Sequence, residues 1–98
     1  MSLTSSQKRY LRGLAHDLKP VIMTGNKGVT PALLKELSGA LEHHELIKVK
    51  LGSEDRVARK AQIAELADGA HAELVQSIGR VACFYRRNDE QPKLALPR

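Results

Sequence analysis

The residues with the clearest chemical potential stand early in the chain, at Gly25-Asn26-Lys27-Gly28. Two glycines three positions apart allow positive φ, and neither carries a Cβ that would hold an approaching ligand away from the backbone. Lys27 adds a mobile cation, and Asn26 a donor and an acceptor. Thr30-Pro31 follows, an N-cap and first-turn pair, so the loop leads into the positive end of a helix dipole, where unpaired amides attract anions. Taken alone a GxxG spacing is a weak signal, since most are only turns. Its strand-to-helix setting and the surrounding charge give it weight here.

Other reactive residue types read as structural. His43 and His44 are adjacent, so on a helix they point about 100° apart and do not readily share one metal ion. His16 reads as a polar residue at the end of the first helix, with ligand contact the alternative. Cys83 alternates with Val81 and Tyr85 and reads as a buried thiol; as the single cysteine it forms no internal disulfide or thiolate pair. No paired acid and base, metal cluster or cofactor loop stands out, and the GNKG loop lacks the length and terminal Lys-Ser/Thr of a P-loop. The expectation is therefore no catalytic residue, no metal, no cofactor and no small-molecule substrate.

The charge pattern points to an anionic partner. The 98 residues carry a net charge of +5, unevenly spread. Lys8, Arg9, Arg12, Lys19, Lys27 and Lys35 face one acid, Asp17, in the first third; Arg80, Arg86, Arg87, Lys93 and Arg98 face Asp89 and Glu90 at the end. The stretch between has five basic and eight acidic residues. Lys48 and Lys50 read as a solvated strand face, with a share in an anion-binding surface the alternative, and Arg56, Arg59 and Lys60 as helix-surface partners of Glu54, Asp55 and Glu65. Nucleic acid is the commonest partner of such a skewed basic surface, and the 3% aromatic content argues for phosphate contact over base stacking. No run nears the roughly 18 apolar residues of a membrane span, and the first twenty residues lack a signal-peptide block, so a cytoplasmic protein with no membrane partner is expected.

Periodicity supplies the elements that must position these groups. Thr4 and Gln7 have capping-box spacing, and Leu11, Leu14, Ala15 and Leu18 form the core stripe of a first helix that stops before Lys19, because Pro20 disfavours helical geometry in its predecessor. Val21-Ile22-Met23 reads as a strand buried on both faces. The second helix starts at Pro31 with Leu33, Leu37, Ala40 and Leu41 inward, and Glu45 to Leu51 is a half-buried strand with Ile47, Val49 and Leu51 on one face. Ser53 is placed to cap a third helix and Gly69 to end it, with Val57, Ala61 and Ala64 as its clearest stripe and Ile63, Leu66 and Ala67 adjoining. Glu73 to Ile78 and Val81 to Arg87 form a hairpin about Gly79-Arg80, and residues 88–98 an extended tail. The fold class is α/β: one domain with its core about residues 4–87, element order α-β-α-β-α-β-β, and a four-stranded mixed sheet packed with helices.

A GxxG loop between strand and helix also clamps the nucleic-acid backbone in KH domains. The wider run resembles a different family. Leu14-Ala15-His16, Leu18-Lys19-Pro20-Val21, Gly25-Asn26-Lys27-Gly28-Val29-Thr30, Leu41 through Lys50, Gln76 through Arg80 and Phe84-Tyr85-Arg86 are similar to the CRM domain signature (chloroplast RNA splicing and ribosome maturation). The likeness covers nearly the whole chain and is strongest to the bacterial single-domain, YhbY-type members. It implies the architecture of the translation initiation factor 3 C-terminal domain and binding to RNA, with large-subunit rRNA or pre-50S particles as partner; a monomer is expected. By position it implies contacts from Lys19, Gly25, Asn26, Lys27, Gly28 and Arg86; the basic face of the first helix, Lys8, Arg9 and Arg12, is read from its own charge. Arg87 departs from the family, which usually carries proline or glycine there, and adds a cation. The competing readings are a module that docks on a ribosomal protein and a small RNA-processing enzyme.

Overall fold

Thr4 opens α1 (Ser5–Ala15) as its spacing requires: its hydroxyl accepts the Gln7 amide at 3.1 Å, and the Gln7 side chain accepts the Thr4 amide at 3.0 Å. The computed structural model describes residues 3–25 and 27–97. α1 is followed by β1 (Ile22–Met23), α2 (Pro31–His44), β2 (Leu46–Lys50), α3 (Arg56–Ala70), β3 (Glu73–Ile78) and β4 (Val81–Tyr85). The strands lie in the order β1-β2-β4-β3. β1 pairs parallel to β2, and β4 pairs antiparallel to both β2 and β3. β2 and β3 therefore run parallel, as a helical crossover favours, but the hairpin folds β4 back into the gap between them.

The sheet is packed on both faces. On one side Phe84, Ile47, Val49 and Leu51 meet Leu37 and Leu41 of α2 and Leu66 and Ala70 of α3. Each fully buried side chain of this size contributes roughly 1.5–3 kcal/mol relative to exposure, so this larger cluster carries most of the apolar stabilisation. On the other side Leu11 and Ala15 of α1 cover Leu46, Val75, Cys83 and Tyr85, joined by Leu94 and Leu96 from the C-terminal segment. A bulge between Leu74 and Gln76 puts Gln76 opposite Cys83 while Val75 also packs under α1, so two successive residues of β3 serve the same face.

Several local expectations need correction. α1 ends at Ala15 with His16 as C-cap, so Leu14 and Leu18 are each 38% exposed and only Leu11 and Ala15 of the stripe are buried. Because α1 stops short and β1 is an edge strand, nothing covers its outer face: Ile22 is buried, but Val21 and Met23 are about 60% exposed. In α3 the Val57-Ala61-Ala64 stripe faces solvent and the adjoining Ile63-Leu66-Ala67 face is the inner one, since the larger side chains gain more from burial. Asp55, not Ser53, caps α3 by accepting the Val57 amide at 3.1 Å; Ser53, two residues earlier, accepts the Asp55 amide. The helix runs through Gly69 to a left-handed His71, because a Cβ at Gly69 would lie 2.6 Å from a Leu34 methyl: the glycine serves close helix packing. Arg59 gives its guanidinium to the Ser53 and Glu54 carbonyls, while Glu54 pairs with Arg80 of the hairpin turn.

The C-terminal segment is also held. Glu45 is fully buried, and its carboxylate accepts the amides of Asn88, Lys93 and Leu94 at 2.6–2.7 Å. Gln7 of α1 donates to the Pro97 carbonyl at 3.1 Å. Within residues 88–97 the extended tail is a strap across the α1 side of the sheet.

Candidate nucleic-acid interface

The GxxG loop follows directly from the edge strand. Its base is fixed: the Thr24 amide donates to the Lys50 carbonyl at 3.0 Å, and the buried Thr24 hydroxyl accepts the Gly52 amide at 2.8 Å. A Cβ at Gly52 would stand 2.5 Å from the Thr24 carbonyl oxygen, so the close approach of these two segments requires glycine there. The Gly28 amide donates to the Gly25 carbonyl at 3.0 Å and closes the loop. Gly28 has φ +67 and lies over Gln62 of α3, whereas Gly25 stands outside the left-handed region with open space around it. Only the second glycine is therefore required by backbone conformation; the first keeps the outer surface low. Lys27 is exposed at the tip. Asn26, which sequence also assigns to contact, lies outside the described residues.

Fewer free amides face the loop than a helix start usually offers. Pro31 has no amide hydrogen and the Thr30 hydroxyl takes the Leu33 amide at 3.1 Å, while the Leu34 amide makes the ordinary first intrahelical bond to the Thr30 carbonyl at 3.0 Å. The anion preference of this corner rests on the helix dipole and Lys27 more than on a row of amides.

Arg9 and Arg12 project from α1 into solvent, Lys8 is half-buried and Lys19 is exposed in the link to β1. Among the described residues the ion pairs are Arg80–Glu54 and Arg87–Asp89, and none of the cations assigned to contact takes part in either. Lys19 and Gly25 bracket β1; six residues of extended chain span no more than about 22 Å, so the basic end of α1 and the loop border one sheet edge. Lys48, which sequence left as a solvated strand residue, is half-buried beside this edge and donates from Nζ to the Leu18 carbonyl at 3.0 Å.

Arg86 does not join them. Its guanidinium donates to the Ser38 hydroxyl at 3.0 Å and to the Ser38 and Ala70 carbonyls at 2.8 Å each, tying α2 to the end of α3. Its positional assignment as a contact residue meets a donor set already engaged inside the fold. Sequence periodicity carries no signal for such a long-range role.

The other reactive groups are accounted for by packing. Cys83 is 3% exposed, and burial pushes its thiol up to about 11, with the Lys48 cation acting the opposite way. Burial also raises the Tyr85 hydroxyl, with a smaller push from the Glu45 carboxylate. The His43 and His44 rings stand 6.3 Å apart between centroids. Among the described residues no three His, Cys, Asp or Glu side chains converge as a metal site, and no helix is long and apolar enough to cross a membrane.

Comparison with known proteins places this architecture. The family model described as the CRS1 / YhbY (CRM) domain matches residues 3–86. An "RNA-binding protein" of Haemophilus influenzae is 43% identical over 97 residues, covering 99% of this chain and 97% of its own. A Pseudomonas aeruginosa protein named "probable RNA-binding protein" is 44% identical over 93 residues, covering 95% and 89%. The solution structure of a Staphylococcus aureus protein superposes with a TM-score of 0.84 at 36% identity, over 98% of this chain and all of that one. Signature, topology and full-length similarity agree, and the chain belongs to the CRS1/YhbY (CRM) domain family.

Proposed function

We propose that this chain is a non-catalytic cytoplasmic RNA-binding protein that, as a monomer, associates with rRNA of the pre-50S particle and assists its maturation. The observation that carries the reading is the GxxG loop itself: an exposed Lys27 between glycines, on a rigid base and at the dipole of α2, in a chain whose relatives are named for RNA binding. Arg9, Arg12 and Lys19 extend the cationic surface along the same edge, with Lys8 beside them. The large-subunit target rests on the family resemblance. Arg86 is left out of the proposed contact set.

Contact of this kind is electrostatic. With Z phosphates engaged, affinity falls with salt at a log-log slope of about −0.7Z on single strands and −0.9Z on duplex. The deciding experiment compares wild type with a variant in which Asn26 and Lys27 are both aspartate, on fragments of large-subunit rRNA and in sedimentation with ribosomal precursors. Acidic groups near a helix N-terminus favour the helix, so the variant is expected to stay folded while losing RNA affinity and co-sedimentation. A folded variant that binds RNA at wild-type strength removes the loop from the interface; salt-independent affinity of the wild type removes the electrostatic reading.

A further inference from the structure

α1 covers only part of its face of the sheet, and beyond its end a groove of about 350 Å³ opens between Arg12 and His16 on one wall and the β3–β4 hairpin on the other. Lys48 stands between the walls, and Gln76, Ile78 and Val81 form the hairpin side. None of the groove's lining residues is acidic. Ile78 and Val81 are direct cross-strand partners, and Ile78 is 67% exposed, so an apolar plate faces solvent beside two cations, the exposed Arg12 and Lys48, which the Leu18 carbonyl holds. The bulge in β3 turns the Gln76 carboxamide, a donor and an acceptor, into the same space.

We infer that this groove takes one unpaired nucleotide of a bound RNA, with its base against Ile78 and Val81, its edge at Gln76 and its phosphate at Arg12 and Lys48. The inference rests on the RNA reading above and adds a preference for RNA with a bulged or looped-out base. Three features support a nucleotide. The volume lies at the low end of the roughly 300–1,000 Å³ of small-ligand clefts, which suits a single nucleotide and is too narrow for a duplex. A phosphate-only contact leaves the apolar plate without a partner, whereas a base brings an apolar face and a polar edge together. Pro20, which also lines the groove, follows Lys19 directly, so the groove opens beside another of the cations assigned to RNA contact. Lys48 is held by the Leu18 carbonyl yet keeps two further N–H donors, so it meets a phosphate already oriented. Phe84 and Tyr85 are buried and the exposed Tyr10 does not line the groove, so the aliphatic plate takes the place of an aromatic platform.

The test uses two RNA stems of about 16 base pairs, one fully paired and one with a single bulged nucleotide, titrated against the full chain and two hairpin variants. Ile78→Ser removes the plate without changing charge, and Gln76→Glu places a carboxylate in the acid-free groove; circular dichroism melts verify folding. Wild type is expected to prefer the bulged stem by about five- to tenfold, the low end of what one packed base contributes. Ile78→Ser should erase that preference with little change on the paired stem, and Gln76→Glu should weaken the bulged stem further. Equal wild-type affinity for the two stems, or a preference that survives Ile78→Ser, overturns the groove assignment while RNA binding stands. Affinity for neither stem sinks the RNA reading and the groove with it. Should the variants instead lose a protein partner at unchanged RNA affinity, the groove is a protein dock and the assignment falls.

Discussion

The Glu45 carboxylate accepts the Asn88 amide at 2.6 Å, joining the end of α2 to a residue 43 positions later in the chain. The same side chain holds Lys93 and Leu94, and its backbone stands at φ 62, ψ −35, a strained region for a residue with a Cβ. Glu45→Ala is expected to cost about 2–4 kcal/mol, because three charge-assisted hydrogen bonds are lost and the strain remains. Hydrogen exchange should then show residues 88–97 opening ahead of the sheet. Glu45→Gly relieves the backbone and should be the milder change by about 1 kcal/mol; a Glu45→Gly protein less stable than Glu45→Ala would show that strain is absent.

The two loop glycines should separate stability from binding. Gly28→Ala forces a Cβ into the left-handed region and within 3.3 Å of the Gln62 side chain, so a loss of about 1–2 kcal/mol in thermal unfolding is expected. Gly25→Ala meets nothing within 4 Å and should be neutral or up to about 1 kcal/mol stabilising, yet weaken RNA binding by raising the surface over which the backbone approaches. Equal stability losses at both positions would contradict the conformational distinction between them.

Arg86 and Lys27 should fail in opposite ways. Arg86→Ala leaves the Ser38 and Ala70 carbonyls without their charged donor and is expected to destabilise by about 2–3 kcal/mol, with no change in the salt slope of RNA binding. Lys27→Ala should leave the melting temperature unchanged and reduce the slope by about 0.7–0.9, one phosphate contact. A lowered slope in a folded Arg86→Ala protein would return Arg86 to the interface.

Burial of Cys83 makes stability depend on alkaline pH. Its thiol titrates at about 11 in the fold against 9.0 ordinarily, so between those values the unfolded chain has lost a proton that the folded chain keeps. Stability contributed by the neutral buried thiol is therefore complete below pH 9 and is lost as pH rises toward 11. Native alkylation by iodoacetamide at pH 8 should be negligible, and Cys83→Ala should flatten the stability profile between pH 9 and 11. Rapid alkylation of the native protein at pH 8 would contradict the burial.

Local chemistry made much of this protein legible in its sequence. Thr4 with Gln7 is a contact across three residues and Thr30-Pro31 a pair of neighbours, and they start α1 and α2 where their spacing requires. The alternation of Ile47, Val49 and Leu51 identifies the inner face of β2, the Gly79-Arg80 turn identifies the hairpin, and the seven-element order with its mixed sheet follows from these. The GxxG loop and the skewed charge are likewise properties of short segments. Tertiary structure alone decided whatever depends on which surfaces meet. It inserted β4 between β2 and β3, left Val21 and Met23 uncovered because α1 ends at Ala15, and turned α3 by its larger side chains. It drew Arg86 inward, bound the tail to Glu45, and placed Lys48 and Gln76 in one groove with Arg12. Each of these joins residues roughly 30 or more positions apart or depends on burial, and periodicity records only what a residue does within its own helix or strand.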